Sequence, residues 1–199
     1  TSLALDPEDQ PHITYHDFEN RNLRYAYRDG RDWIYETVDS VGSVGTFASL
    51  ALDASYLPHV SYCAEVYVSP SDVTYIKYAR HDGANWLVET VDYAGVGGGY
   101  TSLNLDASNR PHISYYDGDL GVLRYAAYDG TEWNLETVDD GESGEQDVGM
   151  HTSLALDDDG YPHISYVDVT NHALKYAHWD GGEWQARVVD GSGSVEGAT

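Results

Sequence analysis

Apolar and polar residues alternate along this chain in short runs. In PHISY, Pro111–Tyr115, the side chains of Ile113 and Tyr115 point one way while those of His112 and Ser114 point the other. In LRYA, Leu123–Ala126, Leu123 and Tyr125 separate in the same manner from Arg124 and Ala126. A period of two is that of a strand with two distinct faces. No amphipathic run of ten or more residues interrupts this pattern, so the chain predicts strands and turns without helices.

The runs recur in a fixed order. SLALD at Ser2–Asp6 returns at Ser49–Asp53, as SLNLD at Ser102–Asp106, and at Ser153–Asp157, with spacings of 47, 53 and 51 residues. Each copy continues with a Pro-His pair opening a strand at Pro11, Pro58, Pro111 and Pro162, then LRYA, IKYA, LRYA or LKYA. An Asp-Gly pair follows at Asp29, Asp82, Asp129 and Asp180, then Trp33, Trp86, Trp133 and Trp184, and a closing ETVD that becomes RVVD in the fourth copy. Four strands of about 5–7 residues with short connections fill such a unit. A period near 50 with four strand segments predicts a propeller blade. The expected fold is therefore an all-β β-propeller of four four-stranded blades in one domain, residues 1–199, with repeats near 2–48, 49–101, 102–152 and 153–199.

Asp-Gly between strands suits a two-residue hairpin turn with positive φ. One blade cannot bury both of its faces alone, so each needs a neighbour, and the repeated Trp is the large residue expected at those contacts. The closing segment GSGSVEGAT aligns with SVGSVGTFA before the second copy. A closed four-blade ring and a segment of a larger propeller or array both fit, as does assembly of several chains through blade edges.

Charge narrows the partners. Asp and Glu total 34 against 10 Lys and Arg, a formal charge of −24 that repels phosphate backbones and anionic lipid. Nucleic-acid binding and membrane insertion are not expected, and no apolar run approaches the ~18 residues of a membrane span. The chain opens on strand-like TSLALD, so any targeting peptide is expected to lie outside these residues. Cys63 is the single cysteine and forms no internal disulfide.

The unit SLALD, PHISYYD, LRYA, DG, W, ETVD resembles a tandem repeat of exported bacterial and archaeal proteins, mostly of unassigned function, interpreted as propeller blades. The resemblance covers nearly the whole chain and implies a propeller located outside the cell or at its surface. The DGxxW turn is also similar to the Asp-box of sialidase-like propellers, but lacks its spacing and its Ser and Thr positions, so sialidase chemistry is not implied.

Three sets of repeated residues carry candidate chemistry. Asp6, Asp53, Asp106 and Asp157 would form a ring of four carboxylates suited to Ca²⁺ if the first strand lines a central channel, or would cap the turn that follows them. His12, His59, His112 and His163 offer four imidazoles to a transition metal, or serve the blade by bonding within it. Tyr15, Tyr62, Tyr115 and Tyr166 could stack on sugar rings, or pack in the core. His16, His81, His151, His172 and His178 do not repeat and read as surface residues. Asp139, Asp140, Glu142, Glu145 and Asp147 read as a solvated acidic loop, with a loop Ca²⁺ site as the alternative.

Neither a GxSxG elbow nor a phosphate loop nor a Cys-His constellation is present, which leaves catalysis with little support. The leading expectation is a non-catalytic exported module for interaction or assembly with protein or glycan. A carbohydrate-binding propeller, with or without calcium, comes second, and a propeller hydrolase third. Because an active site normally breaks repeat symmetry, the departures matter most: Cys63 with the segment 64–72, and the linker 140–152.

Overall fold

A computed structural model describes residues 1–68, 70–141 and 147–191; Glu142, Glu145 and the closing segment 192–199 lie outside the described residues. The chain forms four antiparallel sheets in sequence order. Blade 1 comprises β1 (Ser2–Leu5), β2 (Pro11–Asp17), β3 (Asn22–Asp29) and β4 (Asp32–Asp39). Blade 2 comprises β5 (Ser43–Leu52), β6 (Pro58–Val68), β7 (Ser71–His81) and β8 (Trp86–Tyr93). Blade 3 comprises β9 (Gly99–Leu105), β10 (Pro111–Asp117), β11 (Val122–Tyr128) and β12 (Trp133–Asp139). Blade 4 comprises β13 (Val148–Leu156), β14 (Pro162–Asp168), β15 (Ala173–Trp179) and β16 (Trp184–Asp190). Each sheet is a simple meander, and its repeated sequence segments are its strands.

Every blade has a leading face toward its predecessor and a trailing face toward its successor. Leu23, Tyr25 and Val38 on the trailing side of blade 1 pack on Leu50, Val60, Tyr62 and Ala79 on the leading side of blade 2. Ile76, Tyr78 and Val91 pack in the same way on Leu103, Ile113, Tyr115 and Ala126, and Leu123, Tyr125 and Val138 on Leu154, Ile164, Tyr166 and Ala177. The repeated Trp closes each junction: Trp86, Trp133 and Trp184 meet Tyr25, Tyr78 and Tyr125 edge-on at 5.3, 5.4 and 5.2 Å. Alternation along PHISY thus places Ile113 and Tyr115 on the leading face, and the neighbouring LRYA sends Leu123 and Tyr125 to the trailing face.

The repeated Ser of SLALD fixes how far one blade slides on the next. The backbone N–H of Leu50, Leu103 and Leu154 donates to the hydroxyl of Ser2, Ser49 and Ser102 of the preceding blade, each at 3.0 Å. Gly45 (φ +105°) and Gly149 (φ +113°) sit where the innermost strand crosses the previous blade, and a Cβ there would lie 2.9 and 2.7 Å from the Cα of Leu23 and Leu123. Only glycine lets the strands approach so closely.

Blade 4 does not return onto blade 1. Leu3 is 62% exposed where its equivalent Leu50 is 8% exposed, and Val189 is 58% exposed where Val138 is 7% exposed. Of the arrangements expected from sequence, the open array is observed and the closed four-blade ring is not. The hairpin turns also differ slightly from expectation. The Asp ends β3, and Gly30 with Arg31 forms the two-residue turn between Asp29 and Asp32. In the other blades the Asp carboxylate accepts the N–H groups two and three residues on, as Asp82 does from Ala84 and Asn85.

Candidate functional site

The meander gives each blade two ends. One carries the β1–β2 and β3–β4 turns and their equivalents; the other carries the β2–β3 turns and the links between blades. The turn end holds the repeated Asp and His. Asp6, Asp53, Asp106 and Asp157 each accept two backbone N–H groups of the following turn through Oδ1, for Asp53 from Ser55 at 2.7 Å and Leu57 at 2.9 Å. The second oxygen faces Nε2 of the histidine in its own blade, at 3.7 Å from His12, 3.6 Å from His59, 3.8 Å from His112 and 3.3 Å from His163. Nδ1 of each histidine is bonded to a tyrosine hydroxyl: Tyr25, Tyr78, Tyr125 and Tyr176.

A neutral imidazole with its proton on Nε2 satisfies this chain, since the tyrosine O–H then donates to Nδ1. Burial holds His59 and His112 below the ordinary imidazole value, against the pull of Asp53 and Asp106. Burial likewise pushes Tyr25, Tyr78 and Tyr125 well above the ordinary phenol range. The carboxylates do not converge on a common ion, and among the described residues no group of three or more His, Cys, Asp or Glu is placed to hold a metal. The expected four-carboxylate and four-imidazole rings are thus replaced by four separate Asp-His-Tyr chains, because each group is consumed inside its own blade.

The repeated tyrosines are also structural at three of four positions. Tyr62, Tyr115 and Tyr166 are fully buried and donate to Asp39, Asp92 and Asp139 of the preceding blade, for Tyr62 at 2.7 Å. A cation completes each group: Lys77 on Asp39, Arg124 on Asp92 at 3.5 Å and Lys175 on Asp139 at 2.5 Å. Burial tends to raise the Asp39 and Asp139 carboxyls, but the bonds from lysine and tyrosine outweigh it and hold both below the ordinary range. Buried rings offer no stacking face, so the expectation that these tyrosines bind sugar is not met; Tyr15 alone is half-buried, on the outer face of blade 1. The closing Asp of ETVD, read in the sequence only at Asp139 and there as part of an acidic loop, is the acceptor at each of the three junctions.

Asp139 therefore belongs to the last junction rather than to an acidic loop, and Asp147 accepts the Tyr116 hydroxyl at 2.7 Å. Cys63 is fully buried between blades 2 and 3, and burial raises its thiol far above the usual range.

The link end is different. Phe47, Tyr100 and His151 each lie two residues before the repeated Ser, in a bulge of the innermost strand, with φ of +51, +58 and +54°. Their rings form a continuous row of tilted contacts, with centres 4.4 Å apart from Phe47 to Tyr100 and 4.5 Å from Tyr100 to His151. Left-handed backbone costs a bulky L-residue about 1–2 kcal/mol, and such strain gathers where geometry serves function. The next blade holds it in place: Thr101 Oγ1 donates to the Phe47 carbonyl at 2.7 Å and Thr152 Oγ1 to that of Tyr100 at 3.2 Å. Around the rings lies an open depression of ≈ 700 Å³, lined also by Thr1, Ala48, Thr101 and Thr152.

A second depression of ≈ 910 Å³ adjoins it on β5, where Thr46 lines one and Phe47 the other. Its walls include Phe18, 85% exposed, and Tyr67, 70% exposed, with Arg21, Glu65 and Asp72. Tyr67 stands on the β6–β7 hairpin, whose strands have 11 residues each where the matching strands of blade 3 have 7. This is the departure noted around Cys63. The axial rings were missed because their column reads Phe, Tyr, His; the constant distance to Ser49, Ser102 and Ser153 was the available signal.

No protein-family model matches the chain, and no curated protein matches it in sequence. Solved structures do resemble it. An α-L-arabinanase from Penicillium chrysogenum complexed with arabinobiose superposes with a TM-score of 0.65 at 11% identity, over 94% of this chain and 65% of that one. A Hadza microbial sialidase gives 0.61 at 11% identity, over 97% and 46%. A protein of unknown function from Dyadobacter fermentans gives 0.63 at 11% identity, over 92% and 67%. The fold is that of β-propeller blades; the chain spans about two thirds or less of these proteins.

Proposed function

We propose that this chain is a carbohydrate-binding propeller module whose glycan site is the row of aromatic rings Phe47, Tyr100 and His151 on the innermost strands. The observation that carries the reading is this solvent-open row of aromatic rings held in strained backbone. Aromatic faces receive the apolar side of a sugar ring. No carboxylate lines the axial depression among the described residues, so it lacks the acid and base pair that glycosidic hydrolysis requires. The reading is supported by the substrate class of the similar arabinanase and sialidase folds. It includes display outside the cell, for which the support is the resemblance of the repeats to those of exported proteins.

A glycan array followed by titration calorimetry tests it with arabino-oligosaccharides, xylo-oligosaccharides and sialylated glycans. Binding is expected to fall at least tenfold in Tyr100→Ala, as loss of about 1.4 kcal/mol of stacking requires. EDTA is expected to leave it unchanged, since the turn carboxylates are occupied by backbone N–H groups. An empty array, or a Tyr100→Ala protein that binds like the parent, would overturn the assignment.

A further inference from the structure

The three internal junctions repeat one pattern at the turn end, and the middle one departs from it. In the first and third junctions the indole N–H of Trp86 and Trp184 donates to Glu36 and Glu136 of the preceding blade, both at 2.7 Å. Glu89 holds the same place in blade 2, opposite Tyr78 as Glu36 is opposite Tyr25 and Glu136 opposite Tyr125. It does not take the Trp133 N–H, which is buried and has no partner among the described residues. The exposed Glu89 side chain instead lines a cleft of ≈ 610 Å³ between blades 2 and 3.

Two arginines distinguish this cleft. Arg80 lies two residues beyond Tyr78 on β7, hence on the same face as Glu89, and opposes His59 where the other copies set Tyr27, Ala127 and His178 against their histidines. Arg110 precedes the repeated Pro where the other copies have Gln10, Leu57 and Tyr161. Asp106 holds Arg110 at 2.8 Å. Arg80 and Glu89 are diagonal cross-strand neighbours within reach of each other, yet neither makes a hydrogen bond or ion pair among the described residues. Leu87, Val88 and the Tyr128 ring add apolar wall, and Tyr128 lies 5.4 Å from Trp133.

We propose that this cleft is a second saccharide site, for one neutral sugar residue; it rests on the carbohydrate reading for the class of its ligand and not for its place. Each hydroxyl of a sugar both gives and receives a hydrogen bond, so adjacent hydroxyls call for a donor and an acceptor side by side. Arg80 supplies the donor fork, Glu89 the acceptor, and Tyr128 a ring for the apolar side of the sugar. Asp53, Asp82 and Glu89 outnumber the two arginines in the lining, which disfavours an acidic sugar. With one ring in place of a row, the cleft gives a weaker binding step than the row of Phe47, Tyr100 and His151, and that step survives Tyr100→Ala. The cleft opens at the turn end and the row at the link end, so one molecule can join two glycan chains.

The indole N–H signals of the 5 tryptophans in a nitrogen–proton correlation spectrum read this cleft directly. Trp133→Phe identifies the Trp133 signal, and no tryptophan lines the depression around Tyr100 among the described residues. The probes are methyl glycosides of neutral pentoses and hexoses at millimolar concentration. At least one is expected to shift the Trp133 signal saturably, in the parent and in Tyr100→Ala alike. Arg80→Met and Glu89→Gln change exposed side chains, so each is expected to keep the parental melting temperature and the binding at the aromatic row. Each is expected to weaken the saturable Trp133 shift at least tenfold. No Trp133 shift with any probe, or parental affinity in both variants, overturns the inference, while array binding lost in Tyr100→Ala still upholds the row. An empty array with the Trp133 shift intact removes the row and upholds the cleft. A methyl glucuronide that binds more tightly than the neutral glycosides overturns the assignment to neutral sugars.

Discussion

The two ends of the blades obey different rules. At the turn end, every blade places the same Asp, His and Tyr in the same way: Nδ1 of each histidine bonds a tyrosine hydroxyl while Nε2 faces the Asp carboxylate at 3.3–3.8 Å. At the link end, beside the repeated Tyr-Asp bonds of the junctions, the bulge keeps its backbone and changes its side chain, from Phe47 to Tyr100 to His151, and a single hairpin is lengthened. Constancy here is the mark of folding, and variation on a constant backbone is where the proposed glycan site lies.

The comparison breaks most visibly if stability resides at the wrong place. Asp139→Ala should strand a buried Lys175 and the Tyr166 hydroxyl, and a loss of about 3–5 kcal/mol is expected in a denaturant titration. A loss below about 1 kcal/mol would show that these junction groups are not what joins the blades.

Acid probes the turn-end histidines first and the carboxylates second. The unfolded chain protonates its histidines near 6.5, whereas folded His59 and His112 hold out to lower pH, so the unfolded state binds more protons there. Their contribution is full above about pH 6.5 and is lost as pH falls through the lower folded values. A second loss follows below the ordinary carboxylate value of 3.8, where Asp39, Asp106, Asp139 and Asp157, all held low in the fold, take up protons. The melting temperature is expected to drop from pH 7 to 5 and again below 4; a flat profile between 7 and 5 would contradict buried neutral imidazoles.

The smallest effect sharpens the contrast. His151→Gly removes an exposed ring from a left-handed backbone position, and strain relief offsets the entropy of glycine. Stability is expected to stay within about 1 kcal/mol of the parent while glycan affinity falls, which separates the link end from the turn end by calorimetry and melting on one protein.

Much of the fold was legible because every blade must solve the same problem with the same residues. The Pro-His strand, the Asp-Gly turn and the Trp contact follow from that repetition. The role of Tyr62, Tyr115 and Tyr166 was not, since alternation assigns a side chain to a face without saying whether a neighbour covers it. Asp39 and its equivalents close a strand in polar sequence and look like surface. Leu3 carries the same letter as Leu50, so the open end of the array has no signature in the repeat. Positive φ at Phe47, Tyr100 and His151 leaves none either, because no glycine announces it.

Meander connectivity also sets the route by which the chain acquires its structure. All strand pairs join sequence neighbours, so each sheet completes within one repeat, and no early strand waits for a late one. Strand pairing confined to one repeat favours stepwise assembly, with blades completing in turn as they leave the ribosome. At each step the newest blade shows a bare trailing face of the Leu-Tyr-Val type. The excess of carboxylates scattered along every copy keeps that transient apolar surface from meeting its like before the next blade arrives.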